Sequence, residues 1–508
     1  MTTPSPFSRL AEYFDGFTGL ASADEHVDVW DQIHGLPSAS DGRGRARAAI
    51  AAAQHRLLVH DDLGRLLEAL SASGMTGPEQ RAYDLVLRER QRAMGVPVDV
   101  VTRLAAAKAA AKAAWEVAKP ANRFGVLAGP LQAVIDISAE KGAALQHALG
   151  FADPYDGLID GFETGMTGAL ADELFDDLGG FSAQLLADIR AAGVDVDMSP
   201  FIGGHYSVAD QDMVTRWMIC QMGADFTRAT LHRSSHPFMG PLASPGEIVM
   251  TTWYDEGDFR KCLFARIHEG GHGMYEQGLD PALFGTPLEG AVSSGVHEAM
   301  SRLWENLVAR DRSFWVYWLP ILRRVFPSFK DVTVDQAFRA ANAVVAQEDN
   351  VNRVSADQLT YNLHIILRYR IERRLLSGEL RAADLPDAWA AECQSLLGVT
   401  PKTDKEGVLQ DIHWPSGLFG YFPTYSIGNI FGAQLMVAAR EALPELDTEL
   451  ARGNYDSLRA WLTEKVFRKG RTLSVEQLIK AATGSAPTAE HLKQHLRRTL
   501  GPIYGLTA

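Results

Sequence analysis

Residues 266–278 read RIHEGGHGMYEQG and contain the pattern His-Glu-x-x-His at His268, Glu269 and His272. On an α-helix, residues four positions apart project from the same face, so the two imidazoles can bind one metal ion. In this pattern the glutamate acts on a water molecule at the metal. The alternative is a helix with one core histidine and one exposed histidine. The pattern predicts a zinc-type hydrolytic site on a helix.

The flanking residues predict where this helix begins and ends. Asp258 is a suitable N-cap, and Gly278 is a suitable residue just beyond the C-terminus. The helix nevertheless contains Gly270, Gly271 and Gly273, and each glycine costs roughly 1 kcal/mol relative to alanine. We expect that the missing side chains let another backbone, or an extended substrate, approach closely.

A catalytic zinc site needs a third protein ligand and one open position. The next helical segment, GVHEAMSRLWENLV from residue 295, offers His297 and Glu298, which lie about 100° apart on a helix. Only one of them can readily point at the metal, and Glu298 completes a His/His/Glu set. A surface ion pair between Glu298 and Arg302, four residues on, is the alternative. Glu289, in the intervening loop, is a weaker candidate ligand.

The composition is typical of a globular protein. Of the 508 residues, 46% are hydrophobic and 22% are charged, the net charge is −14 and the mean hydropathy is −0.09. Nucleic acids and anionic membranes repel an acidic chain, so neither is an expected partner. No stretch reaches the ~18 apolar residues of a membrane span, and the N-terminus lacks the basic and apolar regions of a secretory signal. We expect a cytoplasmic protein.

The cysteines, Cys220, Cys262 and Cys393, are far apart in the sequence. This spacing excludes a disulfide framework and any CxxC metal or redox site. Each cysteine is expected to be a small buried hydrophobic residue.

Helical periodicity dominates the chain and predicts a mostly α fold with minor β structure. Residues 101–120 predict a helix that ends at Pro120, and EIVMTTWY at 247–254 is the best candidate strand. Residues 1–508 are expected to form a single two-lobed domain, with approximate lobes 1–200 and 201–508. Breaks rich in glycine and proline predict loops near 120–130, 198–206, 236–246 and 415–423.

Several motifs resemble those of the carboxypeptidase Taq family of zinc-type metallocarboxypeptidases. The likeness spans nearly the whole chain. The segments that carry it are YDGLIDGFETGMT (155–167), HPF (236–238), IHEGGHGMYEQG (267–278), GVHEAMSRLWEN (295–306), RVSADQLTYNLHIILR (353–368) and HWPSGLFGYFPTYSIGN (413–429).

The resemblance implies a mostly helical, saddle-shaped fold with a deep central groove, related to neurolysin and angiotensin-converting enzyme. It also implies a homodimer that releases single residues with broad specificity from peptides with a free C-terminus, using one zinc or cobalt ion per chain. Carried over by position, His268, His272 and Glu298 would be the metal ligands. Glu269 would be the catalytic base.

Some motifs depart from the family pattern. Where the family has Asp-x-Arg-x-Thr, residues 247–251 read EIVMT, so Glu247 and Val249 replace the aspartate and the arginine. Asn352 replaces the isoleucine of an Ile-Arg-x-x-Ala-Asp block, and Ala299 replaces the serine of a His-Glu-Ser motif. The lost arginine is expected to affect substrate range and catalytic efficiency, and the metal site is expected to be unaffected.

The oxyanion that forms during peptide hydrolysis needs hydrogen-bond donors besides the metal. Tyr421 and Tyr425, on a segment rich in glycine and proline, are the candidate donors. His413 behind them is a candidate substrate-binding residue. The alternative for both tyrosines is a packing role in the core or the loop.

A carboxypeptidase must also bind the free C-terminal carboxylate. A fixed guanidinium can do so through two parallel hydrogen bonds. Arg353 is the candidate from its position in the Ile-Arg-x-x-Ala-Asp block, and a structural pair with Asp357, four residues on, is the alternative. His236 either lines the groove as a substrate-binding residue or caps a loop.

Three functional hypotheses follow. The leading one is a metal-dependent carboxypeptidase that uses a metal-activated water and Glu269 as general base. The second is an oligopeptidase or dipeptidyl carboxypeptidase on the same scaffold, which product analysis would distinguish. The third is a peptide-binding protein with a vestigial metal site. The intact His-Glu-x-x-His pattern and Glu298 argue against the third, because decay usually removes the base or a ligand first.

Overall fold

The computed structural model describes residues 6–35, 40–72, 74–75, 77–234, 236–242 and 245–506. Within these ranges the chain consists of helices joined by loops, together with one small sheet. The predicted mostly α class with minor β structure is confirmed. No helix in these ranges is long and apolar enough to cross a membrane.

The helices divide into those before and those after the sheet. Before it lie α1 (Pro6–His34), α2 (Ser40–Val59), α3 (Asp61–Ser71), α4 (Gly77–Gly95), α5 (Val98–Ala121), α6 (Gly125–Leu149), α7 (Pro154–Ile159), α8 (Gly168–Ala192) and α9 (Val208–Met222). After it lie α10 (Phe259–Gly278), α11 (Ser294–Arg302), α12 (Arg312–Val325), α13 (Val334–Ala341), α14 (Thr360–Leu376), α15 (Leu385–Leu397), α16 (Pro423–Ala442), α17 (Leu446–Leu450), α18 (Asp456–Lys465), α19 (Val475–Thr483) and α20 (Glu490–Tyr504).

The sheet contains β1 (Ala229–Arg233), β2 (Met239–Pro241) and β3 (Ile248–Thr252) in the order β1-β3-β2. The central strand, β3, is parallel to β1 and antiparallel to β2, is buried along its whole length and packs against α10. The strand predicted at 247–254 is confirmed as β3. The other two strands were not predicted, because they are short and form only by pairing with β3.

One main core extends from residue 96 to the C-terminal helix. The helices α10, α11, α14 and α16 cross it and are buried on most of their faces. Of these, α16 is small or apolar around most of the helix, whereas α10, α11 and α14 also bury charged side chains, among them Glu269, Glu298 and Arg368. A separate small cluster around Leu10, Phe14 and Leu67 joins α1, α3 and α4. The division into two lobes near residue 200 stays a prediction.

Some predicted boundaries differ from the structure. Gly278 is the last residue of α10 rather than the one beyond it, and its missing side chain leaves room for the Phe467 ring. The helix α5 continues one residue past Pro120, because Asn122 takes the left-handed conformation that caps it. The loop predicted near 120–130 is short, since α6 begins at Gly125. The loop predicted at 236–246 contains β2, and its positions 243–244 lie outside the described residues.

The prediction of three buried cysteines is partly wrong. Cys262 and Cys393 are buried, whereas Cys220 is exposed on α9. Met213 and Trp217, which precede Cys220 at helical spacing, are exposed too. This helix therefore turns hydrophobic residues outward, which the residue types alone did not indicate.

Candidate metal centre

The helix α10 carries the His-Glu-x-x-His pattern through the main core. Asp258 accepts a hydrogen bond from the Arg260 N–H and caps its N-terminus, which confirms the predicted N-cap. The rings of His268 and His272 lie one turn apart, with centroids separated by 4.9 Å, and both line a large cavity. Glu269 is buried and lines the same cavity.

The glycines of α10 face three neighbouring elements. A Cβ added to Gly270 would lie 2.9 Å from a side chain of α9, and one added to Gly273 would lie 2.6 Å from a side chain of β3. A Cβ on Gly271 would lie 2.7 Å from backbone atoms of both Met300 and Ser301 in α11. The expected close approach of another backbone is therefore confirmed at Gly271.

The third candidate ligand lies on α11, whose N-terminus is capped by Ser293. The Oε2 atom of Glu298 is 3.7 Å from Nε2 of His268 and 3.4 Å from Nε2 of His272. Gly428 of α16 makes room for this side chain, since a Cβ there would lie 2.6 Å from the Glu298 Cγ. Small residues on two neighbouring helices thus allow Glu298 to reach the histidines.

The three donor atoms are arranged as a divalent metal ion requires. They lie within 4.8 Å of one another. Zinc bonds of about 2.0–2.2 Å at tetrahedral angles place neighbouring ligand atoms about 3.3–3.6 Å apart. The separations of 3.4 Å and 3.7 Å between Glu298 Oε2 and the two imidazoles are close to this range. Two imidazole nitrogens and one carboxylate oxygen also leave a fourth position for water or substrate. The donor set fits zinc and other divalent metals that accept nitrogen and oxygen ligands.

Hydrogen bonds behind the two histidines fix the orientation of both rings. The Nδ1 atom of His268 is 3.0 Å from Glu305 Oε2, and that of His272 is 2.6 Å from His297 Nδ1. His297 is held in turn by Glu276, 2.8 Å from its Nε2. When Nδ1–H donates outward in this way, each ligand ring keeps the lone pair of Nε2 for a metal.

Glu305 and Glu276 were not identified from the sequence. Glu305 follows Glu298 by seven residues and Glu276 follows His272 by four, so each lies on the ligand face of a helix. Carboxylates commonly support metal-binding histidines. Both carboxylates could therefore have been identified from their spacing in the sequence.

The rival ligand candidates make other contacts. His297 lies behind His272, and Glu289 accepts a hydrogen bond from the Gly285 N–H at 2.7 Å; neither belongs to the three-donor group. The pair between Glu298 and Arg302 does form, with Nε donating to Oε1 at 2.7 Å. It coexists with the donor group because the two use different oxygens of the same carboxylate.

Burial and neighbouring charges shift the pKa values of these groups in different directions. Burial raises the pKa of Glu269 to about 7. Burial also opposes ionisation of Glu298 and Glu305, but nearby cations, Arg302 first, outweigh it. The pKa of Glu298 is therefore well below its usual range and that of Glu305 is about 2. Burial lowers the pKa of His272 to about 3, so the ring is neutral, as a metal ligand must be.

The cavity has a volume of about 1050 Å³ and brings most of the predicted site residues together. Besides the donor group, its lining includes Tyr421, Tyr425, Arg353 and His236. His413 does not line it; its Nε2 lies behind Tyr425, 3.2 Å from the hydroxyl oxygen. Burial raises the pKa of Tyr421 to about 12, so its hydroxyl remains a hydrogen-bond donor.

Arg353 lies at the cavity wall in a network of charged side chains. It donates to Asp411 at 2.8 Å and to the Tyr361 hydroxyl at 3.1 Å. Asp411 also accepts from Arg368 at 2.7 Å, so these two arginines and one aspartate carry a surplus positive charge. The alternative pair of Arg353 with Asp357 is wrong, because that carboxylate instead accepts backbone N–H groups at the start of α14.

The altered motif at 247–251 lies outside the cavity lining. Val249 is buried in β3, paired with Gly240 of β2 and Thr230 of β1. Glu247 is exposed just before the strand. The expected effect on substrate range stays a prediction.

Comparison with known proteins agrees with this site. The profile of the carboxypeptidase Taq (M32) metallopeptidase family matches residues 9–500. Thermostable carboxypeptidase 1 from Thermus thermophilus is 35% identical, with 99% of this chain and 100% of that protein covered. Carboxypeptidase 1 from Bacillus subtilis is 34% identical, with 97% and 98% covered. The crystal structure of the M32 carboxypeptidase from Deinococcus radiodurans R1 has a TM-score of 0.92 at 34% identity, with 99% and 100% of the two chains covered.

Proposed function

The chain belongs to the carboxypeptidase Taq family of metallopeptidases, and we propose that it releases single amino acids from peptide C-termini with broad specificity. Membership of this family makes it a peptide hydrolase that depends on a divalent metal. The observation that supports the finer proposal best is the content of one cavity: a three-donor group, a buried carboxyl group and a guanidinium with surplus positive charge.

One zinc ion per chain, or alternatively cobalt, is proposed to bind between His268, His272 and Glu298. A divalent cation held there would lower the pKa of a bound water towards ~7 and polarise the scissile carbonyl group. With a cation bound, both imidazoles would be neutral ligands and the carboxylate would carry one negative charge, so the group would hold the cation without neutralising it.

Glu269 is the general base in this proposal. It takes a proton from the attacking water and delivers it to the departing amine nitrogen as the peptide C–N bond breaks. Its burial supports this role, because a carboxyl group with a pKa of about 7 can both accept and release a proton near neutral pH.

Tyr421 and Tyr425 are the proposed donors to the developing oxyanion. Their rings are in edge contact, with centroids 5.4 Å apart, and both line the cavity. His413 orients Tyr425 from behind. When the His413 Nε2 carries the hydrogen of this 3.2 Å contact, the Tyr425 hydroxyl is free to donate into the cavity.

Arg353 is proposed to bind the free C-terminal carboxylate of the peptide. The surplus positive charge that it shares with Arg368 and Asp411 supports this role, since a substrate carboxylate would neutralise it. Of the two arginines, Arg353 lines the cavity, whereas Arg368 is fully buried and does not. His236, which is exposed and lines the cavity, is a further proposed contact for the peptide.

The test combines a C-terminal ladder assay on an unblocked peptide with metal analysis. Wild-type protein is expected to release single residues in order. The Glu269→Gln variant should keep its metal and lose turnover by about 10²–10⁴-fold, the range for a general base. Dipeptides or internal fragments would instead support the oligopeptidase alternative. A metal-loaded wild-type protein that is inert towards a broad peptide set would support the peptide-binding alternative.

The homodimer and the cytoplasmic location stay predictions. Size-exclusion chromatography with light scattering measures the first. Fractionation of the producing cells measures the second.

A further inference from the structure

We propose that Arg302 is a positioning residue that keeps Glu298 a one-oxygen metal ligand and links it to Glu305 behind His268. This inference rests on the proposed metal site. It adds that Arg302 limits the number of Glu298 oxygens that would bind the metal, so that the fourth position stays open.

The two oxygens of Glu298 have different partners. Oε1 accepts a hydrogen bond from Arg302 Nε at 2.7 Å. Oε2 lies 3.4 Å and 3.7 Å from the Nε2 atoms of His272 and His268, and accepts a longer hydrogen bond from the Ser301 hydroxyl at 3.3 Å. The shorter, charge-assisted bond holds Oε1 at the Arg302 guanidinium and leaves Oε2 towards the two histidines. Glu298 is therefore arranged to offer one oxygen.

The same guanidinium also reaches the carboxylate that orients His268. Arg302 Nη1 donates to Glu305 Oε2 at 3.1 Å, and this oxygen is 3.0 Å from His268 Nδ1. A second arginine, Arg310, donates to the other oxygen of Glu305 at 3.3 Å. Two of the three metal donors, Glu298 directly and His268 through Glu305, are thus fixed relative to Arg302.

The surroundings restrict the guanidinium to this position. It lies over the Tyr361 ring, 4.1 Å from the centroid, and its side chain is only 13% exposed. The helix changes from α to π geometry at Leu303–Val308, directly after Arg302. Glu305 therefore lies in the first wide turn, and single-turn π segments are often found at functional sites.

Arginine suits this role better than lysine. Its rigid planar fork can donate to two carboxylates at once, whereas an ammonium group is a single point charge on a flexible stem. Without the fork, Glu298 Oε1 is free to bind the metal as well. A two-oxygen Glu298 would fill the position that a catalytic site keeps for water or substrate.

The experiment uses Co²⁺ as the probe in the wild-type chain and in the variants Arg302→Lys and Arg302→Met. The visible spectrum of bound Co²⁺ reports coordination number, and competition with a chelator reports affinity. The variants are expected to bind Co²⁺ about 10–100-fold more weakly, as for other residues that support metal ligands. Co²⁺ bound to the variants should also absorb visible light more weakly than Co²⁺ bound to the wild-type chain, which would indicate a fifth ligand. Arg312→Met is the matched control, since Arg312 is 56% exposed and pairs with Asp335.

The outcomes separate this inference from the proposed function. Wild-type spectra and affinity within about twofold in both Arg302 variants would overturn the role of Arg302 and leave the metal site standing. If Arg302→Met does not fold, as judged by circular dichroism, the Arg302→Lys variant decides the question. A wild-type chain whose Co²⁺ spectrum is unchanged by Glu298→Gln would overturn the metal site itself, and this inference with it.

Discussion

Two buried carboxyl groups in the same cavity, Glu269 and Glu298, titrate in different pH ranges. Burial raises the pKa of Glu269 to about 7, because the neighbouring histidines offset it only in part and Glu298 and Glu305 raise it further. Glu298 has Arg302 at 2.7 Å and stays ionised. Environments that separate the pKa values of neighbouring carboxyl groups assign them different roles. Here the ionised group is suited to bind metal, and the group that titrates near neutrality is suited to move a proton.

This difference predicts the acid limb of the pH profile. A general base must be ionised, so kcat/KM should rise with pH through the pKa of Glu269 and fall about tenfold per unit below it. The pKa is about 7 without metal, and a nearby cation lowers it, so the limb should lie at or below about pH 7. The measurement is kcat/KM from pH 4 to 9, roughly the range over which carboxyl and imidazole groups titrate.

Bound metal must be quantified at each pH as the control, because protonation of His268 or His272 also releases the ion. If kcat/KM still falls at low pH while the metal content stays constant, the fall reflects protonation of the general base, Glu269. An activity that decreases as pH rises through about 7 would contradict the assignment of Glu269.

A second residue-scale prediction concerns recognition of the C-terminal carboxylate. Arg353→Ala should lower kcat/KM for a free-acid peptide by roughly 100-fold, because it removes a buried charge partner. The rate for the matching C-terminal amide should change little. Arg370→Ala is the control, since Arg370 is partly exposed at the surface and pairs with Asp176. Equal slowing of the acid and the amide would show that Arg353 has only a structural role.

The sequence could predict the metal donors because all three lie on helices, where spacing determines direction. It could not predict the partner of Arg353. Asp411 is 58 positions away in the chain, and only the tertiary fold brings the two together. The local candidate, Asp357, was chosen by the same spacing rule and was wrong. The spacing rule is dependable within a helix and fails where the chain enters α14 through a turn.

At the scale of elements, the backbones of α10 and α11 approach each other closely at the metal centre. This approach depends on Gly271, whose Cβ would stand 2.7 Å from the Met300 carbonyl oxygen and the Ser301 Cα. Neither atom is the end of a flexible side chain, so a side chain at position 271 can be accommodated only if the two helices separate. Separation would move Glu298 away from the histidines on α10.

We therefore predict that substitutions at Gly271 damage the site through helix position. Gly271→Ala should destabilise the fold by about 1–3 kcal/mol, the usual effect of overpacking. Gly271→Val should lower turnover roughly 100-fold even in folded protein, because small displacements of catalytic groups have effects of this size. Thermal unfolding and kcat of the folded variants are the measurements.

Gly180→Ala provides the matched control for this test. Gly180 is also within a helix, α8, but it is exposed and a Cβ there would meet nothing within 4 Å. Alanine should stabilise that helix by up to about 1 kcal/mol. Unchanged turnover in Gly271→Val would contradict the proposed role of the helix contact.

The sequence predicted the elements that carry a pattern of their own and missed those that depend on contacts with other elements. The long helices and β3 have their own periodicity or β-branched runs. The strands β1 and β2 are half-buried and gain their hydrogen bonds only from β3. The end of α10 was misplaced for a similar reason, since Gly278 serves the packing of Phe467 rather than a helix cap.

At the scale of the whole molecule, burial is distributed unevenly. The helix α1 is 29 residues long, yet Leu10, Phe14 and Val29 are its only buried hydrophobic residues among those described. None of the described side chains of α2 is buried. The helix α10, by contrast, is buried over most of its length. The N-terminal helices contact the rest of the molecule at few points, such as Val29 against Gly240 of β2.

This distribution predicts that α1 and α2 open locally while the metal centre stays folded. Segments with few buried apolar contacts open at a lower free energy than the core. Amide hydrogen exchange followed by mass spectrometry should show peptides from 6–34 and 40–59 exchanging at least about 100-fold faster than those from 259–278 and 423–442. Peptides from α5 serve as the control, because this long helix is also largely exposed but packs along α6 in the main core. If α1 and α2 exchange as slowly as α10, the N-terminal helices unfold only together with the main core, and burial does not determine local stability here.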